Sequence, residues 1–127
     1  MKYTPLTPPR QYEAGFEHKV TIADCGRLEL DPDEQVTLLT DDGAEYDVTR
    51  KNWGFYATPS LNGRLAAFGL RGVLVKNRQD RLFVLLVARG REKDFEHYSV
   101  EERLTVLTWL DTDQDCRRLE EALGVRV

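Results

Sequence analysis

The strongest constraint on the fold of this chain is a period-two alternation of apolar and polar residues. It runs from Lys19 to Thr49 and is interrupted only by turn residues. Val20 and Ile22 alternate with polar neighbours, as do Leu28 and Leu30 in RLELD. QVTLLT (35–40) is β-branched and apolar, and AEYDVT (44–49) alternates again through Tyr46 and Val48. A helix would need apolar spacings of three and four, so these segments read as strands with one face turned inward. Asp41-Asp42-Gly43 separates the last two, and Asp-Gly between alternating runs signals a hairpin. Pro32 in LDPDE fixes φ in a turn of another type. The first half is therefore expected to be an antiparallel meander of short strands.

The second half mixes strand and helix signals. Its densest stretch is RKNWGFYATPSLNGRLAAFG (50–69). WGFYA continues the strand region, and Gly54 within it suggests a bulge or a close backbone approach. Thr58 suits an N-cap, Pro59 the first helical position and Gly69 the residue past the end. Leu61, Leu65 and Phe68 fall on one helix face, so the spacing predicts a short helix over 59–68, weakened by Gly63. RGVLVKN (71–77) and RLFVLLVA (81–88) read as two strands joined by a polar turn at Arg78 to Asp80. The second is continuously apolar, the pattern of a central strand buried on both faces. Arg91 to Arg103 reads as helix with Phe95 and Tyr98 inward. LTVLTWL (104–110) fits a strand by β propensity and fits a continued helix through Val100, Leu104 and Leu107. Thr112 caps a last helix through Leu119, Ala122 and Leu123, closed by Gly124. Residues 1–12, with Pro5, Pro8 and Pro9, read as a flexible N-terminal arm, extended or loose. The expected architecture is one α+β domain over 13–127. An antiparallel β-rich sheet, a meander plus a central hairpin, carries two or three short helices.

Bulk properties narrow the function classes. The chain has 127 residues, 41% hydrophobic and 31% charged, which suits one globular domain with its own core. No apolar run approaches the roughly 20 residues that span a membrane. The first fifteen residues lack the apolar core of a secretion signal, so a cytoplasmic protein is expected. Cys25 and Cys116 belong to no metal or redox spacing and read as two buried thiols. His18 and His97 are not spaced as metal ligands, and no cofactor or metal is expected. Ser60 lies in TPSLNG rather than a nucleophile elbow. The acidic clusters 31–34, 41–42 and 111–115 sit in turns and helix starts, where carboxylates solvate turns and stabilise N-termini. No phosphate loop or dinucleotide fingerprint is present. This thin catalytic inventory argues against an enzyme.

Charge is distributed unevenly. Arg50 to Arg91 holds nine Lys or Arg and one acid, Asp80, a local charge of +8 against −12 for the rest, within a net −4. Such asymmetry marks an anion-binding face or a basic segment lying against acidic flanks, in the same chain or in a neighbouring subunit. For anion binding, the proposed helix start at Thr58–Ser60 follows Arg50 and Lys51, with Asn62 and Arg64 one turn in. Lys76, Asn77, Arg78 and Arg81 come from the next hairpin, and Trp53, Phe55 or Tyr56 offers a face for a sugar ring or base. The aromatic cluster reads first as core and second as such a platform. Nucleic acid is disfavoured by the acidic flanks and by the absence of a nucleic-acid module signature.

Three blocks together carry a resemblance: KVTIADCGRLELDPDEQVT, YDVTRKNWGFYATPSLNGRLAAFGLRGVLVKN and RLFVLLVARGREKDFEHY. Over residues 12–111 the chain resembles a group of small uncharacterised bacterial proteins associated with surface-polysaccharide and sugar-modification gene neighbourhoods. The resemblance implies a bacterial cytoplasmic setting and a carbohydrate-biosynthesis context, and it assigns no residue a role.

The expected function is a non-catalytic binding or accessory module in carbohydrate biosynthesis. It would bind a partner enzyme or an anionic ligand, a phosphorylated sugar or nucleotide, through Arg50, Lys51, Trp53, Tyr56, Asn62, Arg64, Lys76 and Asn77. A rival reading is a small transferase or isomerase on a nucleotide-sugar or phosphate ester. There Arg50, Lys51, Arg64 and Lys76 hold phosphates and Tyr56 or His97 moves a proton. A third reading is a structural protein or homodimer whose basic segment meets acidic flanks.

Overall fold

The proline-bearing N-terminal arm is a strand. In the computed structural model, which describes residues 1–125, β1 (Lys2–Ala14) pairs antiparallel with β2 (Val20–Glu29). The final two residues of the expected 13–127 domain lie outside the described residues. Pairing runs from Lys2 opposite Glu29 to Ala14 opposite Val20, with one irregularity between Pro5 and Arg10. Pro8 and Pro9, which cannot donate to a ladder, fall within that irregularity. The result is a long two-stranded ribbon of its own.

The alternating segments behind it form a second sheet. β3 (Gln35–Leu39), β4 (Glu45–Lys51) and β5 (Gly54–Ala57) pair antiparallel in that order, as a meander. The turn over Asp41-Asp42-Gly43 joins β3 to β4 as expected, with Gly43 at φ +97, a conformation glycine adopts without strain.

The third sheet has the order β7-β6-β8. It comprises β6 (Leu70–Lys76), β7 (Leu82–Ala88) and β8 (Thr105–Trp109), all antiparallel. Helix α1 (Arg64–Ala67) precedes it, α2 (Glu92–Glu101) lies between β7 and β8, and α3 (Asp113–Ala122) ends the fold. Segment 104–110 is thus a strand. Hydrogen bonding to β6 decides a sequence that both periodicities fitted. The fold is a single small α+β domain, mostly strand, with antiparallel sheets.

Two expectations are corrected here. The helix over 59–68 shrinks to four residues, because Gly63 stands at the N-cap position with φ −141 and ψ −101. Of the two apolar strands, β6 is central, with Val73 and Val75 fully buried, whereas β7 is an edge strand that exposes Leu82, Phe83 and Val84.

The core consists of two small clusters on opposite faces of this sheet. Ala44, Leu65 and Leu70 pack with Tyr46, Leu86 and Ala88. Val73, Val75 and Val87 pack with Leu85, Phe95, Leu104 and Trp109. Gly72 permits the close approach at the first cluster, since a Cβ there would meet Leu61 Cδ2 at 2.8 Å. The meander supplies Tyr46, with Ala44 just before β4, to the first cluster, and neither cluster takes a residue from the ribbon. The accessible surface is 9490 Å², against about 6,900 Å² for a compact monomer of this mass.

Candidate functional site

The aromatic residues are not core. β4 and β5 are joined by a two-residue turn, Asn52–Trp53, closed by Lys51 opposite Gly54. Gly54 has φ +145 with open space where a Cβ would stand, so its backbone conformation accounts for it rather than a close approach. Trp53 at the tip is 71% exposed, Phe55 65% and Tyr56 52%. Alternation sends Phe55 and Tyr56 to opposite faces of β5, so the aromatics form a projecting corner.

The neighbouring cations are largely neutralised by this chain's own acids. Lys51 pairs with Asp33 and Lys76 with Asp80. Arg64 reaches Asp47 at 3.4 Å, and buried Asp47 also accepts from the Thr37 hydroxyl at 2.7 Å. Arg50 donates to the carbonyls of Lys51 and Leu30, at 2.9 and 2.8 Å, and so ties the end of β2 to β4. Outside the expected site, Arg71 makes two hydrogen bonds to Asp111 and stacks 4.1 Å from the centre of the Trp109 ring. The Asp111 carboxylate holds the Arg71 pKa above its ordinary value. The basic segment therefore lies substantially against the acidic flanks.

The remaining expected site residues hold local structure. Asn62 donates to Asp113 at 3.1 Å. The Asn77 side-chain oxygen accepts from the backbone of Gln79 and Arg81, both at 2.9 Å, and organises the turn between β6 and β7. Thr58 does not cap a helix, and its hydroxyl donates to the Asp47 carbonyl. Ser60 accepts from the Arg64 backbone at the start of the short α1. The helix N-terminus expected at Thr58–Ser60 does not form there.

Two concavities set some of the expected residues, Arg50 with Phe55 and Asn77 with Arg78, among others from distant parts of the chain. A groove of about 680 Å³ runs between the ribbon and the meander, lined by Lys2, Thr4, Arg27, Leu28, Arg50 and Phe55 among others. Among the described residues, neither Lys2 nor Arg27 takes part in an ion pair. A second cleft, about 350 Å³, lies between the β1–β2 loop, the β6–β7 turn and α2. There Arg78 stacks 3.8 Å from the Phe16 ring centre, and Glu102 accepts from the Phe16 backbone at 2.7 Å. Asn77 and Tyr98 line the same cleft. Tyr98, expected inward, is exposed. Arg50 lines the first concavity and Asn77 the second, and neither brings two of the eight expected site residues together. These groupings cross distant parts of the chain, and no local spacing announces them.

The histidines are both exposed, His18 in the β1–β2 loop and His97 on α2. Among the described residues no cluster of three His, Cys, Asp or Glu could hold a metal ion. Cys25 is exposed rather than buried, and Cys116 is half-buried, its thiol pKa raised by burial and then by the surrounding acids. Among the described residues no helix is long and apolar enough to cross a membrane.

Comparison with protein-family models, curated protein sequences and solved structures finds no match to this chain.

Proposed function

We propose that this chain is a non-catalytic binding module that docks a protein partner with its Trp53–Phe55–Tyr56 corner. One observation carries the reading: three adjacent aromatics project into solvent while the cations beside them are already satisfied within the chain. Tryptophan and tyrosine concentrate binding energy at protein interfaces, because they bury large areas at a small entropy cost. The setting we propose for the partner is carbohydrate biosynthesis, on the strength of the sequence resemblance. The test is pairwise binding to sugar-modifying enzymes encoded beside the gene, with wild type, Trp53→Ala and Tyr56→Ala. A partner held by this corner loses about 2 kcal/mol on either substitution, roughly thirtyfold in Kd. Equal binding by all three proteins refutes the corner as the site.

A second reading is favoured by the groove between ribbon and meander. Lys2 and Arg27 have no ion-pair partner among the described residues, Arg50 is close by, Phe55 offers a ring face, and Glu29 is the one acid in the lining. That set suits a phosphorylated sugar or nucleotide. A thermal-shift screen with sugar phosphates, nucleotide-sugars and inorganic phosphate tests it. Ligand at 100 times Kd adds about 2.7 kcal/mol of stability, and Arg27→Ala abolishes the shift. A flat screen at millimolar ligand removes this reading.

A further inference from the structure

The ribbon sorts its side chains by face. Even-numbered positions of β2 share one side, and the register sets Tyr3 opposite Leu28, Arg10 opposite Asp24, Tyr12 opposite Ile22 and Ala14 opposite Val20. Residues Leu6 to Pro9 stand opposite the single Cys25, which shifts the parity of β1 and keeps both ends of the face aligned. All five large apolar side chains that the two strands expose, Tyr3, Tyr12, Val20, Ile22 and Leu28, therefore stand on one face. The opposite face carries Lys2, Thr4, Glu13, Thr21, Arg27 and Glu29. It is mainly this polar face that borders the groove with Phe55. Both faces of the ribbon are exposed at that end, and the apolar one has no cover among the described residues.

A two-stranded ribbon is marginally stable on its own, and an apolar face on it needs a cover. We propose that the cover is a second copy of this chain, the two ribbons stacking face to face about a two-fold axis. Two observations favour a copy over an unrelated protein. The excess surface of about 2,600 Å² over a compact monomer exceeds the roughly 800 Å² that each partner buries in a standard interface. The face is self-complementary in charge. Arg10 and Asp24, paired at 3.3 Å, lie between its two apolar ends. A two-fold axis near them sets Arg10 of each copy against Asp24 of the other. This interface is separate from the Trp53 corner, so either can fail without the other.

The experiment is sedimentation or light scattering of the full chain over a dilution series, with circular dichroism as a check on folding. Wild type is expected at twice 14.6 kDa, dissociating on dilution. Arg10→Asp makes the centre of the face acidic and Asp24→Arg makes it basic. Each variant alone repels its own copy and is expected to be a folded monomer, with self-association weakened at least tenfold. Mixing the two restores a dimer containing one of each. Three results overturn the proposal: a wild type that stays monomeric at millimolar concentration, a dimer unaffected by both reversals, or single variants that do not associate on mixing.

Discussion

The Arg71–Asp111 pair fixes the end of β8 against β6, and its loss has a calculable cost. The Asp111 side chain is 5% exposed and that of Arg71 26%, with hydrogen bonds at 2.6 and 3.4 Å. Asp111→Ala strands a guanidinium that is mostly out of water. Arg71→Met strands a carboxylate almost fully out of water while keeping an apolar stem on Trp109. Breaking one side of a buried pair costs about 3–5 kcal/mol, whereas replacing both sides with apolar groups is close to neutral. Because Arg71 keeps some contact with solvent, we expect about 3 kcal/mol for Asp111→Ala and about 4 for Arg71→Met. The double variant Arg71→Met/Asp111→Leu is expected to lose only about 1 kcal/mol, leaving a large coupling energy. Urea unfolding followed by fluorescence in a Trp53→Phe background isolates Trp109, the only other tryptophan. Burial shields the pair, so the losses persist in high salt. Losses that simply add in the double variant, or single losses below about 0.5 kcal/mol, refute the account of this pair as a buried tie between β6 and the end of β8.

Other consequences follow for stability and reactivity. Thr112 caps α3 by accepting from the Asp115 backbone at 3.0 Å, so Thr112→Ala is expected to cost about 1 kcal/mol in urea unfolding. Hydrogen bonds from Thr112, then Arg118, hold the Asp115 pKa below its ordinary value. That contribution is fully present above the unfolded carboxylate value near ~4 and is lost as pH falls through the folded value. The stability gap between wild type and Asp115→Asn should therefore narrow in acid, as a pH series of urea curves will show. Trp53→Ala should change folding stability by under about 0.5 kcal/mol, because its ring is in solvent, and a larger loss would mean that the corner is packed. In the native protein a thiol reagent should label Cys25 well before Cys116, as mass spectrometry of partially labelled protein can show.

Local signals in the sequence marked the elements they control. Asp42-Gly43 set the β3–β4 hairpin, Thr112 and Gly124 bounded α3, and Phe95 turned α2 onto the core. What stayed hidden depends on contacts between distant residues. Residues 104–110 carry both periodicities, and only the ladder to β6 chooses between them. Pro5, Pro8 and Pro9 suggested a loose arm because the partner strand that orders it lies beyond a loop and gives no nearby signal. The run RLFVLLVA is apolar enough for a central strand, but its burial depends on neighbours, and among the described residues no strand flanks β7 on one side. For the site, residue types were legible and pairing was not. Arg64 and Lys51 read as free cations until the fold set Asp47 and Asp33 beside them.

The open edge of β7 carries a consequence for how this chain behaves in a crowded solution. An apolar strand with unpaired backbone groups is a template for zipping onto another strand. Here the run is bracketed by Arg81 and Arg89. Two copies laid antiparallel about Leu85 set Arg81 of one opposite Arg89 of the other, at both ends of the pairing, and like charges opposed across strands destabilise it. The bracket acts as a lock against the chain's own edge, while a strand flanked by acids would fit it. Since the lock is electrostatic and exposed, added salt loosens it. Ionic strength then sets how readily two copies can join along this edge.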